Sequence, residues 1–235
     1  MNDSYVYEGT SVLINSAGIR DQAQLDEFEG VMVRAALEEL FAKPFAIQGA
    51  EDIFVIHKAL FSDVYSWAGQ PRSINIYKAE PILNGLSVDY SDYRQIIDRV
   101  AGVSELMKSI EWGKLSKKEQ MSKVGEVIST LWRIHPFREG NTRSVATFLY
   151  FYLKGLGLKL NEKFLGEHAK YFRNSLVLCS IDSYSEPEHL QEILFDAVSL
   201  RLPQGSETKY QTIRGYEVAK YAYQSHSIKK PVKKD

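Results

Sequence analysis

The chain has 235 residues, of which 44% are hydrophobic and 25% charged. This length allows one large domain, and the composition, with a single cysteine at position 179, excludes collagen-like, wholly disordered and disulfide-rich chains and a thiolate-rich zinc site. Because 29 Lys and Arg balance 30 Asp and Glu, the net charge is −1, and we expect neither a nucleic-acid nor a membrane partner.

Apolar residues recur at three- and four-residue spacing along most of the chain, a pattern typical of α-helices. The spacing predicts helices over residues 24–42, 51–66, 90–110, 116–134, 142–155, 162–180, 186–200 and 207–224. Between the second and third of these, residues 73–77 alternate apolar and polar side chains and are followed by Pro81 and by the turn pair Asn84 and Gly85. This pattern predicts a short β-hairpin over 73–85. We therefore expect an all-α helical bundle with one small β-hairpin.

The same pattern divides the chain into two parts. Residues 1–205 are expected to form the domain together with an N-terminal lead-in. Residues 206–235 are expected to form a C-terminal helix and a lysine-rich tail, which we interpret as a solvated end or the start of a linker.

One polar segment, residues 135–143 with the sequence HPFREGNTR, stands between two apolar predicted helices. It is expected to be a loop that ends at a helix N-terminus, where unpaired backbone N–H groups and the helix dipole attract anions. Gly140 lets the backbone approach a phosphate closely, and Asn141 can cap the helix or donate to a phosphate oxygen. Arg143 supplies a cationic fork that suits phosphate.

Two further side chains of this segment are typical of phosphoryl transfer. Glu139 is a hard oxygen ligand of the kind that holds Mg²⁺ together with substrate phosphates. His135 titrates near neutral pH and can take a proton from an attacking hydroxyl. Taken singly, these residues also fit a helix-end histidine and an exposed Glu139–Arg143 pair. For His57, which lies on an apolar helix face, we prefer a structural role to a functional one. We interpret it as a core histidine with satisfied hydrogen bonds.

Residues 135–143 resemble the signature of the Fic (filamentation induced by cAMP) family. Residues 56–72 are similar to the stretch that precedes the family's hairpin. Residues 9–29 are similar to the N-terminal lead-in of bacterial members, including Bartonella effector Fic domains. The resemblance covers about residues 5–200 and implies a helical Fic fold. It also implies a protein adenylyltransferase that uses ATP and Mg²⁺ and transfers AMP to a hydroxyl side chain of a target protein.

The resemblance implies a role for each residue of the signature. His135 would be the general base that takes the proton from a Ser, Thr or Tyr hydroxyl of the target. Glu139 would hold Mg²⁺ that bridges the ATP phosphates, and Phe137 would anchor the loop in the core. The implied nucleotide-binding residues are Gly140, Asn141, Thr142 and Arg143.

The predicted hairpin resembles the family's flap, which positions the target by pairing an extended strand with it. In such strand addition, main-chain hydrogen bonds give affinity with little demand on the target's sequence. The implied flap residues are Ile74, Asn75, Ile76, Tyr77, Lys78, Ile82 and Leu83. Ile82 or Leu83 is a candidate clamp for the target side chain, although an apolar residue at a hairpin tip is more often a packing residue.

Two positions depart from the commonest pattern of the family. Thr142 stands where most members have glycine; its branched side chain narrows the anion site, but its hydroxyl can donate to a phosphate. Ala146 stands where the family has a second arginine, which steadies the terminal phosphate or pairs with an inhibitory glutamate. Two alternatives therefore stay open. One is a Fic-type transferase of another phosphate-containing group, by phosphorylation or with another nucleotide, and the other is a catalytically degenerate Fic fold that acts as a binding module.

Many members of the family are inhibited by a helix that carries Ser/Thr-x-x-x-Glu-Gly/Asn. Residues 4–9 fit these letters, but their Tyr-Val-Tyr alternation is not typical of a helix, and we interpret the match as accidental. Inhibition is therefore expected from a separate antitoxin. Without a membrane-spanning run or a signal peptide, the protein is expected in the cytoplasm, or in a host cell if it is part of a larger secreted effector.

Overall fold

The computed structural model describes residues 3–182, 185–199, 209–210 and 213. Within these residues the chain forms eight α-helices, α1 (Gln22–Ala42), α2 (Asp52–Phe61), α3 (Ile96–Ser109), α4 (Lys117–Ile134), α5 (Asn141–Gly155), α6 (Glu162–Glu167), α7 (Ala169–Cys179) and α8 (Glu188–Ala197). Short 3₁₀ turns occur at Pro81–Leu83, Tyr93–Gln95 and Trp112–Lys114. The prediction of an all-α fold is confirmed.

Helix α4 lies at the centre of the bundle. It contacts α3, α5, α7 and α8, while α5 also packs against α2, and α2 packs against α1. A capping box stabilises its first turn: the Ser116 hydroxyl accepts from the N–H of Glu119, and the Glu119 carboxylate accepts from the N–H of Ser116. Its apolar side chains are buried, namely Met121, Val124, Val127, Ile128, Leu131, Trp132 and Ile134. Burial of α4 and α5 fixes both ends of the polar loop that joins them.

The helices differ from the predicted ones mainly at their ends. The predicted helix 162–180 is divided at His168 into α6 and α7, and the division follows Gly166, a poor helix former. Three predicted helices are shorter in the structure, with 51–66 observed as Asp52–Phe61, 90–110 as Ile96–Ser109 and 186–200 as Glu188–Ala197.

The predicted β-hairpin over 73–85 does not form a paired ladder. Its two arms share one antiparallel bridge, between Glu80 and Leu86, and the 3₁₀ turn Pro81–Leu83 occupies the tip. Pro81 favours this turn because its ring fixes φ and its nitrogen cannot donate to a ladder. Within the described part of the chain, no main-chain hydrogen bond joins residues 74–79 to another backbone group. We call residues 73–86 the flap segment.

The predicted helix 207–224 and the lysine-rich tail lie outside the described residues, except for positions 209, 210 and 213. The division into 1–205 and 206–235 therefore stays a prediction. Among the helices that are described, none has the length and apolar character needed to cross a membrane.

Candidate active site

The loop between α4 and α5 is anchored in the core by Phe137. This side chain has no exposed surface, and its ring stacks on His57 with 3.7 Å between centroids, so the predicted anchoring role is confirmed. The loop begins at His135 with φ +52° and reaches α5 at Gly140 with φ +80°. A Cβ atom at Gly140 would lie 2.5 Å from the ring of Phe61, so this position requires glycine for space as well as for its backbone conformation.

His57 is a core histidine with both ring nitrogens hydrogen-bonded, as predicted. The N–H of Gly69 donates to Nδ1 over 2.9 Å, so the ring proton is on Nε2, which donates to the carbonyl of Glu139 over 3.1 Å. Burial lowers the pKa of His57 to about 4. The ring is therefore neutral at pH 7, and it holds the backbone of the loop at Glu139.

Two other side chains hold the loop by hydrogen bonds to its backbone. The buried guanidinium of Arg72 donates to the carbonyl of His135 over 2.8 Å and to carbonyls of the flap segment and its flank, those of Ile74 and Ser91. The side-chain amide of Asn141 accepts from the N–H of Phe137 over 2.9 Å and donates to its carbonyl over 2.8 Å. Asn141 therefore closes the loop with its side chain, and its backbone N–H lies at the start of α5.

The candidate base, His135, has one ring nitrogen bound and one without a partner. Nδ1 lies 3.2 Å from the carbonyl of Trp132, and because a carbonyl only accepts, Nδ1 carries the proton. Nε2 is buried and has no hydrogen-bond partner in the described part of the chain. Burial, helped by the positive charge of Lys78, holds the pKa of His135 well below its usual range. The imidazole is therefore neutral at physiological pH, with a lone pair on Nε2.

A cavity of about 190 Å³ collects the residues of the signature. It is lined by Lys78, His135, Glu139, Gly140, Asn141, Thr142, Arg143 and Arg173. The structure thus brings together the predicted base, the predicted metal ligand and all four predicted nucleotide-binding residues. We call this space the signature cavity.

The predicted flap residues are distributed over several places, and only Lys78 lines the signature cavity. Asn75, Ile76 and Tyr77 line a neighbouring cavity of about 670 Å³. Leu83 has no exposed surface and packs in the core, as the packing interpretation expects, so Ile82, which is half-buried, is the remaining candidate clamp. Ile74 is half-buried too.

The carboxylate of Glu139 is ionised and held in place. Its Oε2 lies 2.9 Å from Nζ of Lys78, and its Oε1 accepts from the N–H of Gly140 over 3.0 Å. Burial alone would raise the pKa of Glu139, but Lys78, Gly140 and Arg143 together outweigh burial and lower it. The described residues contain no group of three or more His, Cys, Asp or Glu side chains placed to hold a metal ion. A Mg²⁺ ion at Glu139 would therefore take its other ligands from substrate phosphates and water, which is the usual arrangement for this ion.

The α5 helix begins without a side-chain cap, since its N-cap residue is Gly140. Its first backbone N–H groups have no partner within the helix and can bind an anion. The hydroxyl oxygen of Thr142 accepts from Nε1 of Trp132 over 3.0 Å, which leaves the hydroxyl hydrogen to donate.

Sequence reasoning missed the partner of Arg143. One guanidinium nitrogen of Arg143 lies 2.6 Å from the carboxylate of Glu29 on α1, and the hydroxyl of Tyr65 donates to the same carboxylate. The guanidinium also lies 4.8 Å from the ring centroid of Phe61. The signal in the sequence was a carboxylate on the apolar stripe of α1, four residues from the buried Leu25.

Sequence reasoning also missed Arg173, which reaches the signature cavity from α7. Its two terminal nitrogens lie 2.6 and 3.0 Å from the two oxygens of Glu80, and the Tyr90 hydroxyl donates to the same carboxylate over 3.1 Å. Glu80 has no exposed surface. The ring of Tyr90 packs against the ring of His135, with 4.0 Å between centroids. A buried glutamate and a distant arginine thus belong to the same site.

Comparison with known proteins places the signature in a family. The profile of the Fic/DOC family matches residues 46–153, which include the whole loop. The probable protein adenylyltransferase y4lH of Sinorhizobium fredii is 34% identical over 165 residues, 69% of this chain and 81% of that protein. The protein adenylyltransferase VbhT of Bartonella schoenbuchensis is 29% identical over 78% of this chain but only 36% of its own length, so this chain spans a part of VbhT.

A solved structure shows the same fold. BepC, a VirB-translocated effector protein of Bartonella tribocorum that was crystallised with bound AMPPNP, aligns with a TM-score of 0.66 and 22% identity. The alignment covers 82% of this chain and 95% of that one. With the extensive match to y4lH and the intact signature loop, this chain belongs to the Fic/DOC family.

Proposed function

We infer that this protein is an adenylyltransferase that transfers AMP from ATP to a Ser, Thr or Tyr hydroxyl of a target protein. The observation that carries this inference is the neutral imidazole of His135: its Nε2 has no hydrogen-bond partner among the described residues, and the residue lines a cavity together with the start of α5 and Arg143. The relatives y4lH and VbhT are named adenylyltransferases, and BepC binds an analogue of ATP, which supports a nucleoside triphosphate as the donor.

The proposed reaction is an in-line displacement at the α-phosphorus of ATP. The target hydroxyl oxygen forms a bond to that phosphorus while the bond between it and the pyrophosphate oxygen breaks. Nε2 of His135 takes the hydroxyl proton, and pyrophosphate leaves. The N–H groups at the start of α5 and the guanidinium of Arg143 stabilise the negative charge on the phosphate oxygens. Because Glu29 and Phe61 fix this guanidinium in advance, little reorganisation is needed.

The donor set fits the expected Mg²⁺ ion. Glu139 is an ionised carboxylate at the wall of the signature cavity, and oxygen is the ligand that Mg²⁺ prefers. When bound, the ion would neutralise charge on the nucleotide phosphates. Proton removal depends on His135 and needs no further residue.

Strand addition to the flap segment is the proposed mode of target binding. The backbone of residues 74–79 has no main-chain partner among the described residues. Side chains bind the carbonyl of Ile74 and the N–H of Lys78, and the N–H and C=O groups between them can pair with an extended target segment. Asn75, Ile76 and Tyr77 of this stretch line the larger cavity, which offers space for the target's side chains. Inhibition by a separate antitoxin, and a place of action in the cytoplasm or in a host cell, belong to the same proposal.

The test uses ATP labelled on the α- or the γ-phosphate, incubated with the protein, Mg²⁺ and a bacterial or host lysate. We expect α-label on a protein band, reduced about 100- to 10,000-fold by His135→Ala, since a general base contributes a factor of this order. His189→Ala is the matched control, because His189 lies on α8 and contacts Tyr171 and Glu186 outside the signature cavity.

Two outcomes would overturn the inference. Transfer of γ-label alone would show that the protein phosphorylates its target. If no protein of the lysate becomes labelled and the chain binds no ATP, it is a Fic fold that acts as a binding module. Thermal unfolding of His135→Ala must show that the variant is folded.

A further inference from the structure

The signature cavity has a second positively charged wall outside the signature. Lys78 comes from the flap segment and Arg173 from α7, and both line the cavity together with the start of α5. Within the signature and the turn that follows it, Arg143 lines the cavity as a cation, whereas Ala146 carries no charge. The cavity therefore has cationic side chains from three separate segments of the chain.

The direction of the Arg173 side chain is fixed by a carboxylate that solvent does not reach. Glu80 has no exposed surface and binds both terminal nitrogens of Arg173, while Tyr90 donates to the same carboxylate. A guanidinium has more N–H donors than this fork uses, so Arg173 keeps donors for a ligand. Because its geometry is set before any ligand arrives, binding would cost little side-chain entropy.

The charges of the lining residues favour an anion. Among the described residues that line the cavity, Glu139 is the single carboxylate, whereas Lys78, Arg143 and Arg173 are three cations. Glu29 and Glu80 pair with the arginines but do not line the cavity. The buried, unpartnered Nε2 of His135 independently indicates that the cavity takes a ligand.

We propose that Arg173 forms a second anion subsite that binds the terminal phosphates of the nucleotide, in addition to the site at the start of α5. The identity of the nucleotide rests on the proposed function. The subsite supplies from α7 the cation that Ala146 does not supply from α5. A guanidinium held in a bidentate fork by a buried carboxylate suits this role, because charge-assisted hydrogen bonds to phosphate depend on fixed geometry.

Calorimetric titration of the full chain with AMP, ATP and inorganic tripolyphosphate, at constant Mg²⁺, tests the subsite. Arg173→Gln is expected to lower the affinity for ATP and for tripolyphosphate about 10- to 100-fold, which is the effect of losing hydrogen bonds to a charged group. It should lower the affinity for AMP less than about threefold. Arg138→Gln is the matched control. Arg138 lies in the loop between α4 and α5 and, like Arg173, is ion-paired with a carboxylate, that of Asp3, but it does not line the cavity. It should leave all three affinities unchanged.

A second variant addresses folding, since Arg173→Gln leaves the buried Glu80 without its partner. The double variant Glu80→Gln/Arg173→Gln replaces the ion pair by two neutral amides, and it should show the same selective loss. The proposal of a subsite is overturned if the variants bind AMP and ATP equally more weakly, or if neither affinity falls. If the unmodified protein binds tripolyphosphate in an Arg173-dependent way but no nucleotide, the subsite stands and the adenylyltransferase proposal fails. If it binds neither, both fail.

Discussion

The loop between α4 and α5 and the flap segment border the same cavity but are held in different ways. Side chains that are themselves buried, those of Arg72, His57 and Asn141, bind the backbone of the loop. The main-chain hydrogen bonds of the flap segment are confined to its tip, over residues 80–86. Over residues 74–79 side chains bind only the carbonyl of Ile74 and the N–H of Lys78. Groups that move a proton or bind a phosphate need fixed positions, whereas a segment that accepts a partner strand must keep its backbone available. In the proposed function the loop meets the first requirement and the flap segment the second.

The largest expected effect on stability comes from adding one methyl group at the start of α5. Gly140→Ala should lower the free energy of unfolding by about 2–4 kcal/mol, because the new Cβ would overlap the Phe61 ring and φ is positive. Gly85→Ala in the flap segment is the matched change: its φ is +85°, but nothing lies within 4 Å of a new Cβ. It should cost only about 1–2 kcal/mol of backbone strain. Urea unfolding measures both, and equal losses would contradict the contrast between the regions.

The second effect is the contribution of His57 to the dependence of stability on pH, to which the buried His135 also contributes. Because its pKa is about 4 in the folded protein and about 6.5 when unfolded, the unfolded chain binds the proton more readily as the pH falls. This histidine should therefore remove about 2 kcal/mol of stability between pH 7 and pH 5. His57→Gln should make urea unfolding less dependent on pH over this range. An unchanged pH dependence would show that His57 does not contribute to it.

The smallest effect separates the backbone of the flap segment from its side chains. Ile76→Pro removes one N–H that would pair with a target strand, so transfer to the target should fall about 3- to 10-fold, the contribution of one hydrogen bond. Ile76→Ala keeps the N–H and should lose less. Initial rates of α-label transfer, with ATP affinity as a check on folding, measure the difference. A larger loss in the alanine variant would assign recognition to the side chain.

The sequence predicted the part of the site that is contiguous along the chain. Residues 135–143 contain the proposed base His135, the carboxylate of Glu139 and the start of α5, and neighbouring apolar helices place this loop in the core. The alternation over 73–77 indicated an extended segment but not whether a strand would pair with it, since pairing depends on the other arm and on Pro81 at the tip.

The partners of the site residues could not be predicted in the same way. Glu29 pairs with Arg143, and Glu80 pairs with Arg173, across long separations in the chain. These pairs depend on how α1, α7 and the flap segment pack, and a local pattern contains no information on such packing. A charged residue on an apolar stripe, as Glu29 is on α1, is the one local sign that a buried partner exists.

The position of His135 also has an electrical consequence. Its backbone is the C-cap of α4, and Gly140 is the N-cap of α5, so the negative end of one helix dipole and the positive end of the next face the same short loop. The proposed transfer creates an imidazolium at His135 while negative charge is on the phosphate at α5. Each charge then lies at the helix end of opposite sign, a stabilisation of about 0.3–1 kcal/mol per end and more where water is excluded. The order of the two helices along the chain thus places each of the separating charges at the helix end that stabilises it.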